Sequence, residues 1–153
     1  MPRYESNRGP GSTADVDFWT SRDVREVNRC HLNYCVADTA KWEQSAAYYI
    51  DTHGSTDAFV KNSGLGLAIP YLHNGQMHDY VPDFIVRLKT GAPKFLILET
   101  KGYDPLEEVK GHAAERWVAA VNADETYGTW KYAIAHKPTE VPKIISDAAN
   151  AGR

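Results

Sequence analysis

The run Phe95-Leu-Ile-Leu-Glu-Thr-Lys101 constrains the fold more than any other stretch of the chain. A strand sends alternate side chains to opposite faces, so a continuous apolar run needs cover on both sides. That predicts an interior strand with helices packed above and below it, and hence an α/β chain. It also makes Glu99 conspicuous, because a carboxylate ending such a strand is costly unless it is paired or ligates a cation.

The flanking segments supply the remaining elements. Trp42, Ala46, Tyr49 and Ile50 recur at helical spacing, with Asp38 or Thr39 available as a cap and Gly54 as a stop. Leu67, Ile69 and Tyr71 then alternate, and Asn74-Gly75 is the commonest two-residue hairpin signal. The return strand is expected from Gln76 to Leu88, where Phe84, Val86 and Leu88 share a face, before the loop Lys89-Thr-Gly-Ala-Pro93. A second helix is signalled by Asp104 as N-cap, Pro105 at N1 and Glu107 at N3, followed by the stripe Leu106, Val109, Ala113, Trp117 and Val121. Trp130, Tyr132 and Ile134 form a last strand, and Pro142 to Ala149 a short helix. Two brief alternations, Val16 to Thr20 and Leu32, Tyr34 and Val36, predict short strands upstream. The order helix, three antiparallel strands, helix, strand predicts a three-layer α/β sandwich with a central mixed β-sheet and an αβββαβ core.

Length and composition set the bounds. A chain of 153 residues suits one domain with a substantial core. Residues 1–15, rich in Gly, Pro, Ser and charge, read as a flexible lead-in or linker, and 16–153 as the domain. No run approaches the length of a membrane span, and Met1-Pro-Arg-Tyr-Glu-Ser6 has no apolar core of a secretory signal, so a soluble cytoplasmic protein is expected. Cys30 and Cys35 make no disulfide framework. With His31 between them they still lack the second ligand pair of a zinc site, and they read as buried free thiols.

The loop at 89–93 fixes a register. If it closes a hairpin, Leu88 faces Lys94, and stepping along both strands sets Asp83 opposite Glu99. Such neighbours share a face with Cβ atoms ~5 Å apart, and Lys101, two residues beyond Glu99, returns to that face. Two carboxylates that close repel one another, and a hard divalent cation such as Mg²⁺ compensates them while keeping several waters. The cation makes a water easier to deprotonate, and a lysine beside it orients that water or stabilises charge on a phosphate. Acid, acid and lysine on one face thus outline a site for phosphodiester hydrolysis. The plainer reading is a strand start at Asp83 after Pro82 and a solvated Glu99–Lys101 pair. The apolar setting of Glu99 favours the site.

Other residues admit two readings each. His73, His78 and His112 are structural or solvated on the bland reading and phosphate or metal contacts on the other. Lys110, Arg116 and Lys131 either solvate a surface or touch a DNA backbone, and Tyr103 either stacks a base or packs under a loop. Gly102 frees the chain to turn after the strand. Trp42, Trp117 and Trp130 are expected in the core. No Ser/His/Asp or Cys/His constellation has local support, so a covalent enzyme intermediate is not expected.

Val81-Pro82-Asp83-Phe84 followed by Leu96-Ile-Leu-Glu-Thr-Lys-Gly102 resembles the PD…(D/E)xK signature of the restriction-endonuclease-like superfamily. The stretches 41–53, 64–88, 96–102 and 112–122 resemble, more narrowly, the C-terminal nuclease domain of the helicase-nuclease (Res) subunits of type III restriction enzymes. The similarity runs from about Val16 to about Val141. It implies Asp83 and Glu99 as metal-binding acids, the backbone carbonyl of Thr100 as a further oxygen ligand and Lys101 as the catalytic lysine. Glu43 matches an acidic residue that some members carry on the first helix near the metal. Here Glu43, Ala47 and Ile50 share a helical edge, and a solvated glutamate is the alternative.

The resemblance further implies Mg²⁺, with Mn²⁺ able to substitute, and DNA as substrate. Those Res subunits carry an ATP-dependent translocase, yet this chain has no G-x-x-x-x-G-K-[ST] loop, so no ATP site is expected in it. The expected partners are a helicase or translocase module, in a longer chain or as a separate protein, and a modification subunit. A formal charge of −3 fits DNA capture by such a partner, since proteins that grip DNA alone are usually basic. The expected function is a Mg²⁺-dependent endonuclease serving DNA restriction. The alternatives are a non-catalytic docking or DNA-positioning module of a helicase complex, and a repair or recombination nuclease of the same fold.

Overall fold

In the computed structural model the apolar run becomes an interior strand, Lys94–Thr100, between one antiparallel and one parallel neighbour. The structure describes residues 14, 19–22, 24–30, 32, 34–36 and 41–151. Among these the elements are β1 (Val24–Glu26), β2 (Tyr34–Val36), α1 (Trp42–Thr52), β3 (Thr56–Lys61), β4 (Ile69–His73), β5 (Gln76–Tyr80), β6 (Phe84–Leu88), β7 (Lys94–Thr100), α2 (Glu107–Asp124), β8 (Thr129–Ala135) and α3 (Val141–Asn150). The main sheet is mixed, in the order β3-β6-β7-β8. β7 and β8 run parallel, which needs a long crossover, and α2 supplies it.

Both faces of this sheet are covered. Phe84, Val86, Leu88, Leu96 and Leu98 point to one side, where Ala46, Ala47 and Ile50 of α1 and Val141, Ile145 and Ala148 of α3 pack on them. Ile97 points to the other side, against Ala113 and Ala114 of α2 and Ile69, Tyr71 and Tyr80 of the β4–β5 hairpin. The strand period of two thus divides one apolar run between two cores, as the sequence requires. No described helix is long and apolar enough to cross a membrane.

Several expectations are corrected. The alternation at Leu67, Ile69 and Tyr71 is not the first strand of the main sheet. It belongs to β4, which pairs only with β5 in a separate two-stranded sheet. The first strand of the main sheet is β3, antiparallel to β6. Its period is hidden by a register shift between Thr56 and Ala58 and by polar residues, Thr56 and Lys61, at buried positions. The expected strand from Gln76 to Leu88 is broken at Val81-Pro82-Asp83, since proline offers no N–H to a ladder. At the hairpin tip Asn74 and Gly75 both have positive φ, as a type I′ turn demands.

α2 begins at Glu107, not directly after Asp104. Asp104 instead makes a turn ahead of the helix, accepting from Leu106 N–H at 2.9 Å. Trp42 is 37% exposed and is not a core residue, whereas Trp117 and Trp130 are half-buried and pack edge to face. Cys35 is a buried free thiol, and Cys30 is half-buried. The strand expected at Val16 to Thr20 lies mostly outside the described residues, and Trp19 and Thr20 are not in one. The cap at Asp38 or Thr39, His31 and the lead-in other than Ala14 also lie outside them.

Candidate active site

The observed pairing of β6 with β7, Phe84 with Leu98 and Arg87 with Phe95, is the register deduced from the loop. One step beyond Phe84, Asp83 meets Glu99, and the Asp83 N–H donates to Glu99 Oε2 at 3.2 Å. Asp83 immediately precedes β6, so its side chain is free of the ladder and turns to the neighbouring strand. There its Oδ2 accepts from both the N–H and the hydroxyl of Thr100, each at 2.8 Å. Asn62 holds this bend from the other side, donating its N–H to the Asp83 carbonyl at 2.7 Å and its side-chain amide to the Pro82 carbonyl at 3.0 Å.

Glu99 is 4% exposed. Its Oε2 also accepts from the Tyr80 hydroxyl at 2.9 Å, and Tyr80 lies 3.3 Å from the Tyr132 hydroxyl. Burial, and then the charge of Asp83, push the Glu99 carboxyl up to about 7 against the pull of Tyr80 and Lys101. Burial likewise raises Asp83, opposed by the two Thr100 hydrogen bonds; Glu43 adds to the rise and Lys61 subtracts from it. Two neighbouring carboxyl groups are therefore both easier to protonate than usual, chiefly because burial disfavours their charge.

Lys101 follows β7 and stands beside this pair, as the strand period predicts. Its Nζ is 3.7 Å from Glu99 Oε1 and 3.2 Å from Asp104 Oδ2, and its side chain is 40% exposed. Partial burial works against its charge, but Asp104, Glu99 and Asp83 outweigh it and hold Lys101 above the ordinary lysine value. Asp104 in turn is held down to about 2, first by the hydrogen bond from Lys110 at 2.8 Å. Tyr80, Glu99, Lys101, Asp104, Lys110 and Tyr132 line a narrow cleft at this end of the sheet. A larger cavity, about 750 Å³, lies elsewhere, around Ser55, Leu88, Lys89, Lys94 and Ala149, away from the carboxylate pair.

Glu43 is buried rather than solvated. It projects from the first turn of α1 and forms an ion pair with Lys61 at the end of β3, with side chains 8% and 7% exposed. The three predicted residues Asp83, Glu99 and Lys101 thus come together, Thr100 joins them through its N–H and hydroxyl, and Glu43 lies close enough to influence Asp83.

Among the described residues no three His, Cys, Asp or Glu side chains converge to hold a metal ion by themselves. The donors present still suit Mg²⁺, which is commonly held by one or two carboxylates with water in the remaining positions. Asp83 and Glu99 are two neighbouring hard oxygen donors of that kind.

The other candidates lie apart from this pair. His78 stacks on Tyr71, with ring centroids 5.4 Å apart, and His73 is 6.4 Å from His78 on the same hairpin. Tyr103 is 91% exposed, and His112 and Arg116 are exposed on α2. Lys110 does contact the site, through Asp104 and over the Tyr80 ring. Lys61, Tyr80 and Asp104 were not singled out as site residues by the sequence. For Tyr80 the signal was present: a hydroxyl-bearing ring three residues before Asp83, which the Asn74-Gly75 turn sets opposite Ile69.

In comparisons with known proteins, no family model, no curated protein and no solved structure matches the chain.

Proposed function

We propose that the chain is a Mg²⁺-dependent nuclease domain of the PD-(D/E)xK type that hydrolyses DNA phosphodiester bonds. The single observation that carries this reading is the meeting of Asp83, Glu99 and Lys101 at one end of the sheet, with the Asp83 N–H bonded to Glu99. The element order supports it: α1, β3, β6, β7, α2 and β8 give αβββαβ, with the β4–β5 hairpin inserted after the first strand. That order is the core of the restriction-endonuclease-like fold which the motif resembles.

In this reading Asp83 and Glu99 hold the cation, Mg²⁺ or Mn²⁺, with the Thr100 carbonyl as a further oxygen donor and Glu43 close behind. When bound there, such a cation would supply positive charge to a phosphate oxygen and would make water a better nucleophile at neutral pH. The chain's own groups do the rest. Thr100 fixes Oδ2 of Asp83, while Tyr80 and the Asp83 N–H fix Oε2 of Glu99, so both carboxylates are preorganised. Lys101, held between Glu99 and Asp104, places an ammonium where negative charge builds on the phosphate, and it orients the attacking water. Attack is in line, without a covalent enzyme intermediate. The sequence has no phosphate loop, so in this reading a helicase or translocase partner would deliver DNA, with a modification subunit directing a restriction role. Cytoplasmic location belongs to the same reading.

Incubation with supercoiled plasmid tests it. Wild type should nick or linearise the plasmid with Mg²⁺ or Mn²⁺ and not with EDTA, and Glu99→Ala and Lys101→Ala should each lose at least about a hundredfold in rate. Equal cleavage by wild type and both variants would contradict the assignment. Preference for forks or junctions over plain duplex would move the role from restriction to repair.

A further inference from the structure

One buried charge, Lys61, has no task in this chemistry. Lys61 closes β3, Glu43 opens α1, and the two meet as an ion pair with side chains 7% and 8% exposed. The next residue, Asn62, is bonded to the Asp83 carbonyl at 2.7 Å, so the ammonium lies one residue along from the strand bend that carries Asp83. Lys61 itself is the register partner of Phe84, the residue after Asp83. A buried ion pair rarely adds net stability, because removing two charges from water offsets their attraction. An apolar pair of similar size would join α1 to β3 at least as well, so the charges themselves need a reason.

We propose that Lys61 is a positioning residue of the cation site, whose ammonium keeps Glu43 beside Asp83 and sets how tightly the acids take a divalent cation. The inference rests on the carboxylate pair being a cation site. As a tethered counter-charge, Lys61 offsets the acids when no metal is bound and opposes the metal when it arrives. Removing Lys61 takes one positive charge away from the surroundings of Asp83 and tightens binding. Removing the charge of Glu43 takes one negative charge away from them and weakens it. Removing both charges leaves the local balance as it was.

Thermal melts in rising Mn²⁺, against an EDTA baseline, test this on wild type, Lys61→Met, Glu43→Gln and the double variant. The concentration giving half the maximal rise in Tm should fall on the order of tenfold in Lys61→Met and rise on the order of tenfold in Glu43→Gln, as expected for one unit charge acting through a partly screened medium. In the double variant it should return to within about threefold of wild type, and Lys61→Arg should keep it there. If Lys61→Met fails to fold, Glu43→Gln and the double variant still make the comparison, because the double variant removes both charges of the pair together. A purely structural pair would lower the baseline Tm without moving the half-saturating concentration. That result would overturn the role of Lys61 and leave the carboxylate site standing. No Mn²⁺ response in wild type would remove the site and this inference together.

Discussion

Glu99 is held by neighbours whose demands differ. Tyr80 and the Asp83 N–H donate to it and favour its charge, while burial and the Asp83 carboxylate oppose that charge more strongly. The balance lifts its pKa from 4.5 to about 7, so the folded chain keeps a proton that the unfolded chain gives up across that interval. More protons bound in the folded state means that stability falls as pH rises from 4.5 to 7 and is level above and below. The contribution lost is roughly 3 kcal/mol at 1.36 kcal/mol per pH unit. Chemical denaturation in EDTA across this range should show the decline, and Glu99→Gln should flatten it. A wild-type profile as flat as the variant's would mean that Glu99 is solvated and ordinary. At this scale the site was largely legible. The doubly apolar run made Glu99 costly, the 89–93 loop fixed its partner, and the strand period brought back Lys101. Lys61 was not legible, because a buried lysine has no local signature until its strand and its glutamate are placed together.

Among the elements, β7 and β8 are the pair that a crossover must bring into parallel register, and their start is tightly specified. Gly128 leads into β8 with φ 75°, and a Cβ there would stand 2.7 Å from the Pro93 carbonyl oxygen and 2.9 Å from its Cβ. Neither backbone can yield easily, since Thr129 N–H donates to that same carbonyl at 3.0 Å. Gly128→Ala should therefore cost about 1–3 kcal/mol through a strained left-handed backbone and the clash, read as a lower urea midpoint. A neutral substitution would show that β8 enters the sheet differently. Gly66 and Gly75, with nothing within 4 Å of an added Cβ, would carry only the backbone strain. The elements also show where periodicity fails as a guide. β3 was missed because its register shifts between Thr56 and Ala58 and its inward positions include Thr56 and Lys61. β4 was assigned to the wrong sheet because alternation reports one buried face and is silent about which neighbour covers it. α2 starts three residues after Asp104 because that carboxylate binds Lys101 and Lys110 as well as the Leu106 N–H.

For the whole molecule, two cores share one strand. Leu98 is buried against α1 and α3, and Ile97 against α2 and the hairpin. Truncating either to alanine should cost about 2–5 kcal/mol, because neither faces water. In a sheet with one solvated face one of the two would be nearly neutral, so the pair of Tm values tests the layering. The covered faces leave the ends of the strands as the place for chemistry, and the carboxylate pair sits at one end while the larger cavity sits at the other. In the proposed reading a formal charge of −3 leaves DNA capture to a partner, so cleavage by the chain alone depends on more than the carboxylate pair. Cation binding avoids that dependence and tests most directly the claim that Asp83 and Glu99 share a metal. Calorimetric titration with Mn²⁺ at pH 8, where Glu99 is ionised, should show saturable binding to wild type that Asp83→Asn abolishes. No binding to wild type, or binding unchanged in Asp83→Asn, would contradict the account.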